Sequence, residues 1–127
     1  MNVVYLNLED VLRLHFQLVK EFGGSHGVRD ESCLMSVIEA PKQVVFNKEQ
    51  YPTVFEKAAV YLRNIIGDHP FNDGNKRTAI TVCVIFLERN EKYLITNPKD
   101  LETFTIKVVT NHLEITTIAE WLKIHTK

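Results

Sequence analysis

The sequence predicts an all-α helical bundle, one domain over residues 1–127. Three observations carry this. Several segments repeat apolar residues with the 3.6-residue period of a helix. Capping residues and Gly or Pro stops separate those segments. One segment, "TAITVCVIFL", is apolar on nearly every side, as a central buried helix would be. At 127 residues the chain is long enough to build a hydrophobic core without disulfide staples.

The elements follow in order. Asn7 caps "LEDVLRLHFQLVKEF", where Leu8, Val11, Leu12, His15, Leu18, Val19 and Phe22 form the apolar face. Glu9 and Asp10 suit the positive end of the helix dipole, and Gly23 and Gly24 stop the helix. Asp30 caps the next helix, which ends before Pro41. "QVVF", residues 43–46, has no clean period and reads as a short strand or a flap-like loop. Thr53 and Glu56 match a capping box, with Gly67 as the stop. After the central helix, Asn97 and Pro98 mark another start, and Thr117 with Glu120 repeats the box. This gives five or six helices.

Composition excludes several classes. Hydrophobic residues make up 45% and charged ones 24%, ordinary values for a globular protein. A net charge of −1 offers no basic footprint, so direct nucleic-acid binding is not expected. No apolar run reaches the ~18 residues of a membrane span, and no signal peptide is recognisable. The expected location is cytoplasmic. Cys33 and Cys83 are not in a paired motif and read as buried thiols.

The chemistry is concentrated in "HPFNDGNKR", His69 to Arg77, directly before the buried helix. A helix start carries unpaired N–H groups and a positive dipole end, which together favour an anion such as phosphate. Gly74 allows close backbone approach. Lys76 and Arg77 oppose the dipole, a conflict that a bound anion removes. Asp73 is a hard oxygen ligand suited to Mg²⁺ shared with phosphate oxygens. His69, an imidazole on an irregular loop, is of the residue type that most often serves as a general base. Phe71 reads as the anchor of the loop. The parts together point to transfer of a phosphoryl or nucleotidyl group to a hydroxyl. His15, His26, His112 and His125 read as surface or satisfied helix residues, Arg29–Asp30 as a cap with a salt bridge, and Trp121 as packing.

The loop resembles the Fic motif, His-x-Phe-x-Asp/Glu-Gly-Asn-Gly/Lys-Arg. His69, Phe71, Asp73, Gly74, Asn75 and Arg77 stand in register. "FGGSHGVRDESCLMSVIEAP" before it and "RTAITVCVIFLERN" after it resemble the death-on-curing (Doc) branch. The resemblance implies a Fic-fold helical bundle and a toxin of a toxin–antitoxin system. It implies His69 as the base, Asp73 as the Mg²⁺ ligand, and Gly74, Asn75, Lys76 and Arg77 around the ATP phosphates.

Two positions depart from the AMP-transferring members: Lys76 stands where they have Gly, and Ile80 where they have a second Arg. Doc toxins share the Lys, which accompanies a reversed ATP and transfer of its γ-phosphate to elongation factor Tu, halting translation. "TNHLEI", Thr110 to Ile115, misses the family's inhibitory motif at its last position, so a separate Phd-like antitoxin is implied. Two further readings fit the same residues: an AMP-transferring Fic enzyme and a non-catalytic Fic-like binding module. A metal-dependent nuclease would use a His/Asp pair too, but the sequence offers no second carboxylate cluster or basic groove for one.

Overall fold

The computed structural model describes residues 2–127 and contains six α-helices and a two-stranded hairpin. The helices are α1 (Leu8–Phe22), α2 (Glu31–Glu39), α3 (Val54–Asp68), α4 (Asn75–Arg89), α5 (Pro98–Thr110) and α6 (Ile115–Ile124). A short 3₁₀ turn, Ala40–Lys42, follows α2. The all-α expectation holds, and no described helix is long and apolar enough to cross a membrane.

Helices α3 and α4 form the centre, packed most extensively on each other. No residue of α4 from Thr78 to Leu87 is exposed, which fits its all-round apolar sequence. Helix α3 is as deeply buried: no residue from Val54 to Ile66 is exposed. The continuous core takes Val11 from α1, Leu34 and Val37 from α2, Phe104 and Val108 from α5, and Ile118 and Leu122 from α6. The C-terminus of α3 and the N-terminus of α4 therefore meet at one end of two immobilised helices.

The caps at Asn7, Asp30, Thr53 and Asn97 accept backbone N–H bonds as their sequence positions require. Two boundaries differ from expectation. Gly67 does not stop α3; the helix runs to Asp68, and His69 caps it in the left-handed conformation (φ 51°, ψ 61°). Gly67 is exposed, so an interior glycine there leaves no hole in the core. Thr117 does not start α6. The cap is Glu114, and the helix begins at Ile115 because Ile115, Ile118, Ala119 and Leu122 together make its buried face.

"QVVF" becomes one arm of a hairpin, β1 (Val44–Val45) against β2 (Lys48–Glu49). The two turn residues, Phe46 and Asn47, both have positive φ (50° and 62°), as a two-residue hairpin turn demands. Phe46 is 95% exposed at the tip. A buried lysine ties this hairpin to the body. Lys57 of α3 has no exposed surface, and its Nζ donates to the Pro41 carbonyl at 3.1 Å and to Glu49 Oε1 at 3.0 Å. Lys57→Met keeps most of the volume but leaves the Pro41 carbonyl without its donor. Urea unfolding should show a loss of about 1–3 kcal/mol; an unchanged stability would contradict the anchoring role.

Candidate active site

The motif loop, residues 69–74, carries few regular hydrogen bonds of its own and is held by side chains and by a neighbouring strand-like segment. Residues 27–30 run antiparallel to it, with a β-bridge between Val28 and Phe71. Asn72 N–H donates to the Gly27 carbonyl at 3.0 Å, and Arg29 N–H donates to the Pro70 carbonyl at 2.8 Å. Arg29 does not pair with Asp30, contrary to expectation. Its Nε donates to the His69 carbonyl at 2.6 Å and its Nη2 to the Asp68 carbonyl at 2.7 Å. The carbonyls ending a helix lack intrahelical donors and carry partial negative charge, so they take the Arg29 guanidinium, while the Asp30 carboxylate caps α2 by accepting Cys33 N–H. The guanidinium also steadies His69 in a conformation that costs a non-glycine residue about 1 kcal/mol or more. The His69 side chain is left exposed.

Phe71 anchors the loop as expected, 1% exposed in the core. Asn75 closes the loop on it. Its Oδ1 accepts from Phe71 N–H and its Nδ2 donates to the Phe71 carbonyl, both at 3.0 Å. The sequence motif assigned Asn75 to phosphate binding. Its side chain is instead taken up within the loop, leaving the backbone N–H for an anion. His15 is the residue that sequence reasoning undervalued. It lies 4% exposed in the buried face of α1, stacked on Phe71 with ring centroids 3.8 Å apart and planes 6° apart. Its Nε2–H donates to the Asp73 carbonyl at 2.7 Å. The signal was present in the helical period, which placed His15 among core positions.

Asp73 presents its carboxylate at the surface. Oδ1 accepts from Gly74 N–H at 2.8 Å and Oδ2 from Ser25 N–H at 3.2 Å. These bonds, Gly74 first, hold its pKa below the usual carboxylate range, so it stays ionised at neutral pH. A carboxylate has about four acceptor positions, so two backbone bonds leave room for a cation. Gly24 makes this possible: a Cβ there would stand 2.6 Å from Asp73 Oδ2. Gly74 caps α4 in the left-handed region (φ 75°). No side chain caps α4, and the amides of Asn75, Lys76 and Arg77 find no acceptor among the described residues.

Lys76 and Arg77 follow on the first turn. Lys76 Nζ lies 3.7 Å from Glu102 Oε1 in an exposed pair, which is worth little. The Arg77 guanidinium lies over the Phe22 ring at 4.3 Å. His69, Asp73, Gly74, Asn75, Lys76 and Arg77 line one cleft of about 420 Å³, closed on the α1 side by Leu18, Val19 and Gly23. Every site residue expected from the sequence is therefore in one place. A larger hollow of about 800 Å³ lies between the start of α3 and α6, bordered by Phe55, Ala119 and Lys123. It contains none of these groups.

The cleft can receive an anion on amides and cations, a divalent cation on one carboxylate, and a proton on His69. No cluster of three or more His, Cys, Asp or Glu among the described residues could cage a metal alone. Asp73 fits Mg²⁺ in the way that ion usually binds, by a carboxylate together with phosphate oxygens of a substrate. Neither cysteine lines the cleft. Cys83 is buried, with its thiol pushed up to about 12, and Cys33 is half-buried; neither is in a disulfide.

A helical fold with this loop at the junction of its two central helices defines a class, and comparison places the chain in it. The model of the Fic/DOC family matches residues 5–87, so this protein belongs to the Fic/DOC family. It is 28% identical over 120 residues to "Protein kinase doc" of Escherichia phage P1, covering 94% of this chain and 93% of that one. It is 37% identical over 86 residues to "Toxin Doc" of Mycolicibacterium smegmatis, covering 68% and 64%.

Burial sets a pH dependence. Desolvation lowers the His15 pKa from its ordinary 6.5, against the raising effect of its bond to the Asp73 carbonyl. The unfolded chain then binds a proton before the folded one does. Stability is complete above about pH 6.5 and falls as pH drops toward the lower folded value. Unfolding free energies should decline from about pH 7 to pH 5 more steeply in wild type than in His15→Phe. Parallel declines would contradict this.

Proposed function

We propose that this protein is a Doc-type toxin that transfers the γ-phosphate of ATP to a side-chain hydroxyl of a translation protein. The carrying observation is the convergence of His69, the ionised Asp73 and the uncapped start of α4, with Lys76, on one cleft. Family membership and likeness to a phage protein named as a kinase support the reading. Elongation factor Tu is the target that the Doc resemblance favours, which makes the cytoplasm the place of action.

In this reading the backbone amides of Asn75, Lys76 and Arg77 and their two cations hold the phosphates. His69 takes the proton of the target hydroxyl. That oxygen forms a bond to the γ-phosphorus, the bond from the γ-phosphorus to the β,γ-bridging oxygen breaks, and ADP leaves. Mg²⁺, held by Asp73 and phosphate oxygens, would neutralise developing charge. Lys76 adds bulk and charge at the start of α4, and Ile80, half-buried against the core, offers no second guanidinium. Both features favour γ-phosphoryl over AMP transfer. A cognate antitoxin resembling Phd is the expected regulator. Phe16 and Phe22 of α1, both more than half exposed on the helix that borders the cleft, suit an apolar peptide segment.

The test gives the purified protein a cell extract with ATP labelled at either the γ or the α position. The γ label should appear on a protein target and the α label should not. An α-labelled target would replace the kinase reading with AMP transfer, and no labelled protein would favour a binding module. His69→Ala should lose about 10²- to 10⁴-fold in rate while circular dichroism stays unchanged. Wild-type turnover in that variant would remove His69 from the base role. In the double variant Lys76→Gly, Ile80→Arg, γ transfer should fall and the α label should begin to appear. A double variant with wild-type γ transfer would mean that Lys76 does not select the transferred group.

A further inference from the structure

Asp73 and Gly74 share one peptide unit, and that unit is planar, so the direction of the Asp73 carbonyl fixes the direction of the Gly74 N–H. The carbonyl end receives the His15 Nε2–H at 2.7 Å. The N–H end donates to Oδ1 of the Asp73 carboxylate at 2.8 Å. Nothing else among the described residues donates to that carbonyl. Gly74 has positive φ and no Cβ, so the unit is free to rotate unless something holds it. We infer that His15 is a positioning residue for the Asp73 carboxylate, acting through the shared peptide of Asp73 and Gly74.

The chain of contacts supports this over simple packing. A carbonyl only accepts, so Nε2 carries the proton and the neutral ring is a fixed-direction donor. The ring cannot swing, because it lies flat on Phe71 and against Gly74, where an added Cβ would stand 3.6 Å from Nε2. Phe71 is itself locked by Asn75. A core position that needed only volume would be filled more cheaply by an apolar side chain, since a buried imidazole must be desolvated. The remaining carboxylate oxygen, Oδ2, is met by Ser25 N–H from the Gly24–Gly27 segment. The orientation of the whole carboxylate thus depends on α1 at one side and that segment at the other.

The inference rests on the reading of Asp73 as the metal carboxylate, and its test separates the two. His15→Gln places an amide nitrogen near Nε2 and keeps a donor but loses the stack. His15→Phe keeps the stack and loses the donor. The first readout is the amide proton signal of Gly74 and Ser25 in the metal-free protein, which reports the carboxylate bonds directly. Both signals should shift in His15→Phe and stay near wild type in His15→Gln. The second readout is Mn²⁺ binding in the presence of ATP. Its affinity should fall about tenfold or more in His15→Phe and less in His15→Gln. If His15→Phe matches wild type in both readouts, or His15→Gln is impaired as much as His15→Phe, the ring acts by packing and the inference fails. A third readout needs no variant: nitrogen NMR of the wild-type imidazole should show the proton on Nε2, and a proton on Nδ1 alone would overturn the proposal. If wild type transfers no γ label, the kinase reading fails, while the amide and tautomer signals still decide the role of His15.

Discussion

Three backbone amides at the start of α4 have no acceptor among the described residues, and the rest of the site is built around that fact. An unpaired N–H shut away from water costs about 1–3 kcal/mol, so such a helix start must remain open to solvent or to an anion. Nothing allows α4 to move away and hide it. Its body is unexposed from Thr78 to Leu87 and packed on α3, which is just as deeply enclosed. The core therefore holds a positive helix end rigidly at the surface, and Lys76 and Arg77 strengthen the positive charge instead of relieving it. Rigidity of this kind is what lets a site meet charge without reorganising.

Around that end, the side chains divide by what their polar atoms are doing. Asn75, Arg29 and His15 have committed theirs to loop backbone: the Phe71 peptide groups, the carbonyls of Asp68 and His69, and the carbonyl of Asp73. They come from three separate elements, so the loop is fixed from below, behind and within. His69, Asp73, Lys76 and Arg77 keep exposed functional ends on the cleft. The first group shapes the site, and the second meets what enters it. The hairpin is attached by different means, through the buried Lys57, at the opposite end of α3 from His69.

Much of this was readable from the sequence, for definite reasons. Caps at Asn7, Asp30, Thr53 and Asn97 are local chemistry, with donor and acceptor three residues apart. The burial of α4 was written in an unbroken apolar run. The site residues were contiguous, so placing one placed them all. What could not be read depends on partners distant in sequence. Arg29 prefers carbonyls some forty residues away to its neighbour Asp30. Asn75 turns inward because Phe71 is buried. Lys57 is enclosed because the Pro41 carbonyl lies across from it. The left-handed cap at His69 overrode Gly67 because the guanidinium of Arg29 binds the carbonyls of Asp68 and His69, two residues beyond where a glycine cap would have ended the helix. His15 shows both sides: its period marked it as core, but only the fold reveals that the loop backbone is its partner.

The central claim is that the start of α4 receives nucleotide phosphates with the terminal one presented to His69. A crystal structure of the protein with Mg²⁺ and a non-hydrolysable ATP analogue tests it most directly. The phosphates should lie on the amides of Asn75, Lys76 and Arg77, with Mg²⁺ on the Asp73 carboxylate and the γ-phosphate nearest His69. Phosphates bound away from α4, or an α-phosphate facing His69, would contradict it.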